Sequence, residues 1–594
     1  MCGFTGALSF SKLQTTLKDS NQFSIKRGPD KLTNICGSDQ MFYDFWFNRL
    51  SIIDLSEKAD QPMKSKDNQH LLMFNGEIYN SPTLRKMHKL KNYNFISSNS
   101  DTETLFAGLQ LYGIDFINQL EGQFSFFYWN KKMKKIYLAR DRIGQKPLYF
   151  SINNSSIYFA SNLKSILNLL PKQSLSIDSI NNYFMYGSIF SPDTLFDQIK
   201  KIEPGYYSEI DYSNNCFKEK KINYWNLVDK VDNKKFEYND FIELFNKSVI
   251  KRTLSDVPIA NFLSGGIDST SIIKNLYSND FEINTFSVVI PNKQYNEKKY
   301  IDEVVQKYNT NHTEIILDNK ISKESILKSL NSLDEPYGDP SIVPSFIISD
   351  LISKNFKVAI SGDGGDELLG GYKRIKNHKN FKYKNVKLYE LIYKIYPEIL
   401  GTGTNFKSKT SLMNSYLSYL SDEKFTNLLN IDSFLDKDIL KIENIGSVYK
   451  SILKHEYKYY LSEQMMYKVD RTSMANSLEI RSPLVDHLLV EYIFMHSEEY
   501  FYKDKNKYPL YKFLSEDFTK EFLDRPKQGF VFDYKIWVYK NFHFIFEIIN
   551  NSELSNLISL EEMKKLKYVQ TRVNALRIWR VFVLAHHLNQ IKDL

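Results

Sequence analysis

Cys2 directly follows Met1 in Met-Cys-Gly-Phe-Thr-Gly. Removal of the methionine would leave a thiol and a free α-amine on one residue. An α-amine with a pKa near ~8 can take the thiol proton without help from a histidine. That is the equipment of a nucleophile for an amide carbonyl, although Cys2 taken alone also reads as a small apolar residue of a first strand. A second segment, Phe262-Leu263-Ser264-Gly265-Gly266-Ile267-Asp268-Ser269-Thr270, ends an apolar run on Ser-Gly-Gly and then opens a helix. Backbone N–H groups gathered at such a helix start suit a pyrophosphate. The Gly-Lys-Ser/Thr of a kinase-type phosphate loop is missing, and Asp268 offers a carboxylate to Mg²⁺ beside the phosphates. A third segment, Ser361-Gly362-Asp363-Gly364-Gly365-Asp366-Glu367, repeats the arrangement. Its glycines allow close backbone approach. Its acids repel one another unless a cation or basic group neutralises them, which points to a metal or an acid–base role. The spacing does not fit the twelve-residue calcium loop of an EF-hand.

These residues need elements to hold them. The first ~200 residues read as short strands at 48–54, 70–74, 124–129, 135–139 and 148–151, with one clear helix, Asp101–Tyr112. That pattern predicts antiparallel α+β layers. Residues 211–240, rich in Asn, Lys and Asp, read as a linker. Beyond them apolar runs at 258–263, 283–290, 313–317 and 357–360 alternate with helical stretches at 268–277 and 298–308. This predicts a doubly wound parallel sheet. From Tyr383 onward the pattern is mainly helical.

Composition narrows the function further. At 594 residues the chain should form two to four domains. The 78 Lys+Arg against 70 Asp+Glu give a net charge of +8 with no concentrated basic stripe, which argues against nucleic acid as a partner. Cys2, Cys36 and Cys216 are too few and too irregular for a disulfide framework or a zinc site. No apolar run reaches the ~18 residues of a membrane span, and no secretory signal is evident. A cytoplasmic protein acting on small molecules is expected.

Four short turns complete the picture: Arg27-Gly28-Pro29-Asp30, Arg49-Leu50-Ser51-Ile52-Ile53-Asp54, Asn75-Gly76-Glu77-Ile78-Tyr79-Asn80 and Ser100-Asp101-Thr102-Glu103. Each alone resembles an ordinary turn. Taken in order with Cys2 and the two Ser-Gly loops, they resemble the glutamine-hydrolysing asparagine synthetase family over nearly the whole chain. The resemblance implies an αββα N-terminal nucleophile glutaminase domain at 2–205, a linker at 206–240 and a PP-loop ATP pyrophosphatase domain at 241–594 with a helical C-terminal part. It implies Cys2 as nucleophile and Asn75 with Gly76 as the oxyanion-hole pair. Arg49 and Asp101 would hold the glutamine carboxylate and α-amine, with Glu77 in the same binding loop.

In the second domain the resemblance places ATP on Leu263, Ser264, Gly265, Gly266, Asp268, Ser269, Val288, Ser361 and Gly362, with Mg²⁺ shared by Asp268 and Asp366. Lys527, in Arg525-Pro526-Lys527-Gln528-Gly529-Phe530, would steady charge at the α-phosphorus, and the segments from Lys468 to Arg471 and from Arg481 to Pro483 also fit. Asp363 stands where many members carry Glu, Phe47 where His is usual and Lys26 where His is frequent. The implied reaction uses glutamine, ATP and aspartate to give asparagine, glutamate, AMP and pyrophosphate, with ammonia carried through an apolar passage. The alternative acceptor is a carboxylated sugar or other metabolite. A non-catalytic relative is disfavoured by the intact Cys2, the two loops and Lys527, and a homodimer stays open.

Overall fold

The computed structural model describes residues 2–13, 17–170, 173–289, 297–316, 321–429, 441–498, 500, 505, 507–525 and 532–592. Two six-stranded antiparallel sheets occupy the first part of the chain. One runs in the order β10 (Lys200–Lys201), β8 (Tyr149–Ile152), β9 (Ser156–Ala160), β1 (Cys2–Ser9), β3 (Met41–Arg49), β2 (Lys31–Asp39). The other runs β12 (Lys218–Asn223), β11 (Tyr206–Asp211), β7 (Lys135–Arg140), β6 (Gly122–Asn130), β5 (His70–Ile78), β4 (Met63–Lys64). The sheets face each other through aromatic rings. Phe45 packs on Phe127 and Trp129, and Phe159 stacks on Phe127 with centroids 4.2 Å apart. Helix Asp101–Tyr112 buries Leu105 and Leu109 with Leu72 and Phe74 on the outer side of the second sheet, and Leu17 and Leu169 cover Ala7 outside the first. The αββα layering is thus the arrangement that the alternating apolar strands demand.

Two sequence expectations differ from the observed elements. The strand expected over 48–54 stops at Arg49. Leu50, Ile52 and Ile53 leave the sheet because they bury against Val358 and Met474 of the second half of the chain. The stretch expected as a linker from residue 206 instead contributes β11 and β12 to the second sheet. Its Lys218-Glu219-Lys220-Lys221 run lies exposed on β12, the sheet edge, where charges discourage further pairing and mimic linker composition.

The second half holds a five-stranded, all-parallel sheet in the order β15 (Asn311–Ile316), β14 (Asn284–Val289), β13 (Ile259–Phe262), β16 (Val358–Ile360), β17 (Glu479–Arg481). The first strand lies centrally and the order reverses between β13 and β16. Ligands of doubly wound sheets bind at such a switch point, outside the carboxyl ends of the strands. Helices follow, ending in the long Arg572–Lys592. Its Trp579 and Phe582 join one buried cluster with Tyr149, Ala160 and Leu163 of the first half. Among the described residues no helix is long and apolar enough to cross a membrane.

Candidate active sites and the seam between them

Cys2 begins β1 and is 7 % exposed, opposite Arg49 in the register with β3. Its backbone nitrogen, the atom that would become the α-amine, donates to Asn75 Oδ1 at 3.1 Å. Asn75 Nδ2 is buried and has no hydrogen-bond partner among the described residues. An unpaired buried amide is costly, and here it lies beside the cysteine on a side chain held by its other end. Gly76 follows at φ +159°, where an added Cβ would collide with the Gln123 carbonyl. Burial pushes the Cys2 thiol up, while a backbone hydrogen bond from Leu50 and the charge of Arg49 act against it.

Arg49 is fixed by its own loop, donating from Nη1 to Ser56 O and Asp60 Oδ1, both at 2.7 Å, and from Nη2 to Asp54 O. Asp101 opens the helix Asp101–Tyr112 and accepts from Ile78 N at 2.9 Å and Thr102 N at 2.7 Å; burial raises its carboxyl. Cys2, Asn75, Gly76, Arg49 and Asp101 therefore gather at the end of the first half that faces the second. Glu77 goes further. Its Oε2 lies 3.2 Å from Arg481 Nη2 on β17, and burial pushes its carboxyl well up.

The second site forms where β13 and β16 end side by side. Ser264 Oγ lies 3.1 Å from Ser269 Oγ, and Gly266 N donates to Ser264 Oγ at 3.2 Å, which shapes the loop ahead of helix Ile267–Tyr277. Leu263 N donates to Phe286 O at 2.8 Å, tying this loop to β14, on which half-exposed Val288 lies. From β16, Ser361 Oγ donates to Asp363 Oδ2 at 2.8 Å and sits 3.1 Å from Ser482 Oγ. Gly362 permits the loops to touch, since a Cβ there would lie 3.0 Å from Asp268 Cβ and Ser269 N.

Lys507 is the residue that sequence reasoning missed here. Its buried ammonium bridges Asp268 and Asp366, 2.8 Å from Asp366 Oδ1, and the two carboxylates raise its pKa against burial. Two carboxylates from neighbouring strand ends thus converge on one cation. That donor set also fits Mg²⁺, which binds through one or two carboxylates plus substrate phosphates. Lys507 lies in a run of charged residues that reads as surface, and only its burial reveals the role. Lys527 lies outside the described residues.

Between the sites runs a seam of buried charge. Arg27 donates to Cys2 O at 3.2 Å and grips Asp470 with both Nη atoms, at 2.8 and 3.1 Å. Lys146 and Arg471 approach the same carboxylate at 3.4 and 3.0 Å. Burial alone would raise Asp470, but these cations hold it well below the usual carboxylate range. A cavity of about 10 Å³ opens here, lined by Gln123, Lys146, Met466, Asp470, Ile480 and Ser482 among others. Gln123 Nε2 is buried and has no partner among the described residues. The cavity lies between the two sites, because Asp470 leads by Arg27 to Cys2 and Ser482 touches Ser361. Its lining mixes charged, polar and apolar side chains.

Against known proteins, a family model described as asparagine synthase matches residues 240–582, and one described as a glutamine amidotransferase domain matches residues 1–225. The chain is 29% identical to glutamine-hydrolyzing asparagine synthetase 1 of Bacillus subtilis, over 99% of this chain and 97% of that protein. It is 28% identical to a putative glutamine-hydrolyzing asparagine synthetase 2 of Methanocaldococcus jannaschii, over 78% of this chain and 92% of that one. A Penicillium rubens protein named amidase chyE is 24% identical, over 91% of this chain and 87% of its own length.

Proposed function

The chain belongs to the asparagine synthase family, and from that premise we propose that it is a glutamine-hydrolysing asparagine synthetase using ATP and Mg²⁺. The observation that carries the reading is the pairing at Cys2: its nitrogen on Asn75 Oδ1, with Asn75 Nδ2 buried and unpaired alongside. In this reading the freed α-amine takes the Cys2 thiol proton and the thiolate attacks the glutamine amide carbon. Asn75 Nδ2 and the Gly76 N–H receive the charge that develops on oxygen. Arg49 and Asp101 hold the glutamine carboxylate and α-amine, and Glu77 borders them. Ammonia leaves, and water releases glutamate from the thioester.

At the strand ends, Leu263, Ser264, Gly265, Gly266, Ser269, Val288, Ser361 and Gly362 form the ATP cradle. Asp268 and Asp366 would hold Mg²⁺, whose charge offsets that of the phosphates. The acceptor carboxylate attacks the α-phosphorus, pyrophosphate departs, and ammonia displaces AMP. Lys527 is assigned to the charge at the α-phosphorus. Ammonia would cross the seam between the two sites, where Met466, Val469 and Ile480 supply the apolar part of the cavity wall.

Aspartate is the acceptor this reading favours. Asp363 is one methylene shorter than the Glu many relatives carry and is tied to Ser361. With the Penicillium relative's different name, this keeps a sugar acid or other metabolite as the second reading. Cys2→Ala tests the assignment. It should abolish amide formation from glutamine and spare amide formation from ammonia, with aspartate, uronic acids and other carboxylates compared by AMP release. Glutamine-dependent synthesis at the wild-type rate would overturn the role of Cys2, and AMP release with a uronic acid but not aspartate would select the second reading.

A further inference from the structure

An open cleft of about 930 Å³ lies on the seam, away from both sites. Its walls include none of Cys2, Arg49, Asn75, Asp101 or the Ser264 and Ser361 loops. A volume of this size accommodates a small metabolite. Lys164, on the short helix Leu163–Leu167, is 8 % exposed and turns its ammonium toward Gln590, with Oε1 at 3.2 Å. Among the described residues no carboxylate reaches ion-pairing distance of it. Asp334 acts on it only from further away, while burial presses its pKa down to about 8. A buried ammonium without a counter-charge is costly. Lys26 and Lys328 stand exposed in the same lining, Lys328 paired with Glu324 at 2.8 Å, and Asp350 is the one acid of the lining. Half-buried Phe23, Phe346 and Ile347 provide an apolar shelf beside them.

We infer that this cleft is a binding site for a small organic anion, its carboxylate or phosphate head on Lys164 and its apolar body against Phe23 and Phe346. The occupant spans both halves of the chain, because Lys164 and Phe23 come from the first and Phe346 and Lys328 from the second. Arg27 and Arg471 line the same cleft and hold Asp470, so occupancy there bears on the contact that Arg27 makes with Cys2 O.

The test is calorimetric titration of the full chain with Cys2 alkylated, run with and without ATP, so that binding at either catalytic site is told apart. The probes are phenylphosphate, phenylacetate and inorganic phosphate. Phenylphosphate or phenylacetate should bind more tightly than inorganic phosphate, and the better of the two identifies the head group. Lys164→Met should weaken that binding at least about tenfold, the loss of one charge-assisted contact, while glutamine hydrolysis without the probe stays unchanged. If Lys164→Met folds poorly, the exposed pair Lys26→Glu and Lys328→Glu should weaken binding in the same direction. Failure of all three probes to bind, or binding unaltered in both variants, overturns the inference.

Discussion

Cys2 and Lys507 show how little of a side chain's task is written in its type. Both are buried polar groups, and each is defined by what touches it: an amide whose other end is unpaired for Cys2, and two carboxylates for Lys507. The ammonium of Lys507 offsets part of the charge of Asp268 and Asp366, which otherwise face one another as like charges. Lys507→Met should therefore bind Mn²⁺ in the absence of nucleotide more tightly than wild type, as read by electron paramagnetic resonance titration. The same variant should lose ATP–pyrophosphate exchange by roughly 10²-fold, the effect of removing a charge that faces the phosphates, and still hydrolyse glutamine. Unchanged Mn²⁺ affinity together with wild-type exchange would reduce Lys507 to a packing residue.

At the scale of elements, the second site depends on two loops from β13 and β16 lying in contact. Gly362 sets that distance. In Gly362→Ala the new methyl meets Asp268 Cβ and Ser269 N, each 3.0 Å away, and must move the start of helix Ile267–Tyr277. ATP–pyrophosphate exchange should fall by at least about tenfold, since a displacement near 1 Å is enough to spoil such positioning. Glutamine hydrolysis should not change; equal loss of both activities would mean that the fold, rather than the loop pair, had been damaged. These elements were largely legible in the sequence, because β13 and β16 each end an apolar run on Ser-Gly and helix Asp101–Tyr112 starts on a capping Ser100. What escaped were features with no local signature. β17 is only three residues long and forms because β16 offers a parallel edge. Leu50, Ile52 and Ile53 alternate like a strand but serve a docking loop. Arg27 sits in a turn motif whose partner is Asp470, 443 residues away.

The seam of the molecule carries buried ion pairs alongside its apolar packing. Lys201 pairs with Glu335 at 2.9 Å, Arg140 with Glu463 at 3.3 Å and Arg471 with Asp334 at 2.8 Å. Asp470 is approached by three cations at once, so removing its charge should destabilise the protein strongly, by about 3–5 kcal/mol for a buried pair broken on one side. Its acid sensitivity follows from linkage. The folded-state pKa of Asp470 lies below the ~3.9 of an unfolded Asp. The stability it adds is therefore complete above about pH 5 and is lost as pH falls through that unfolded value toward the folded one. Glu479, held low against burial by nearby cations, Arg481 and Lys146 among them, behaves in the same way. Glu77 and Glu335 are pushed up by burial and act in the opposite sense, so the readout is a difference between proteins. Urea midpoints measured from pH 7 to pH 3 should fall steeply for wild type below pH 5. Asp470→Asn should start lower at pH 7 and fall less steeply, because it no longer takes up that proton on unfolding. Parallel curves would place the acid sensitivity elsewhere and leave Asp470 as a contact whose charge does not matter.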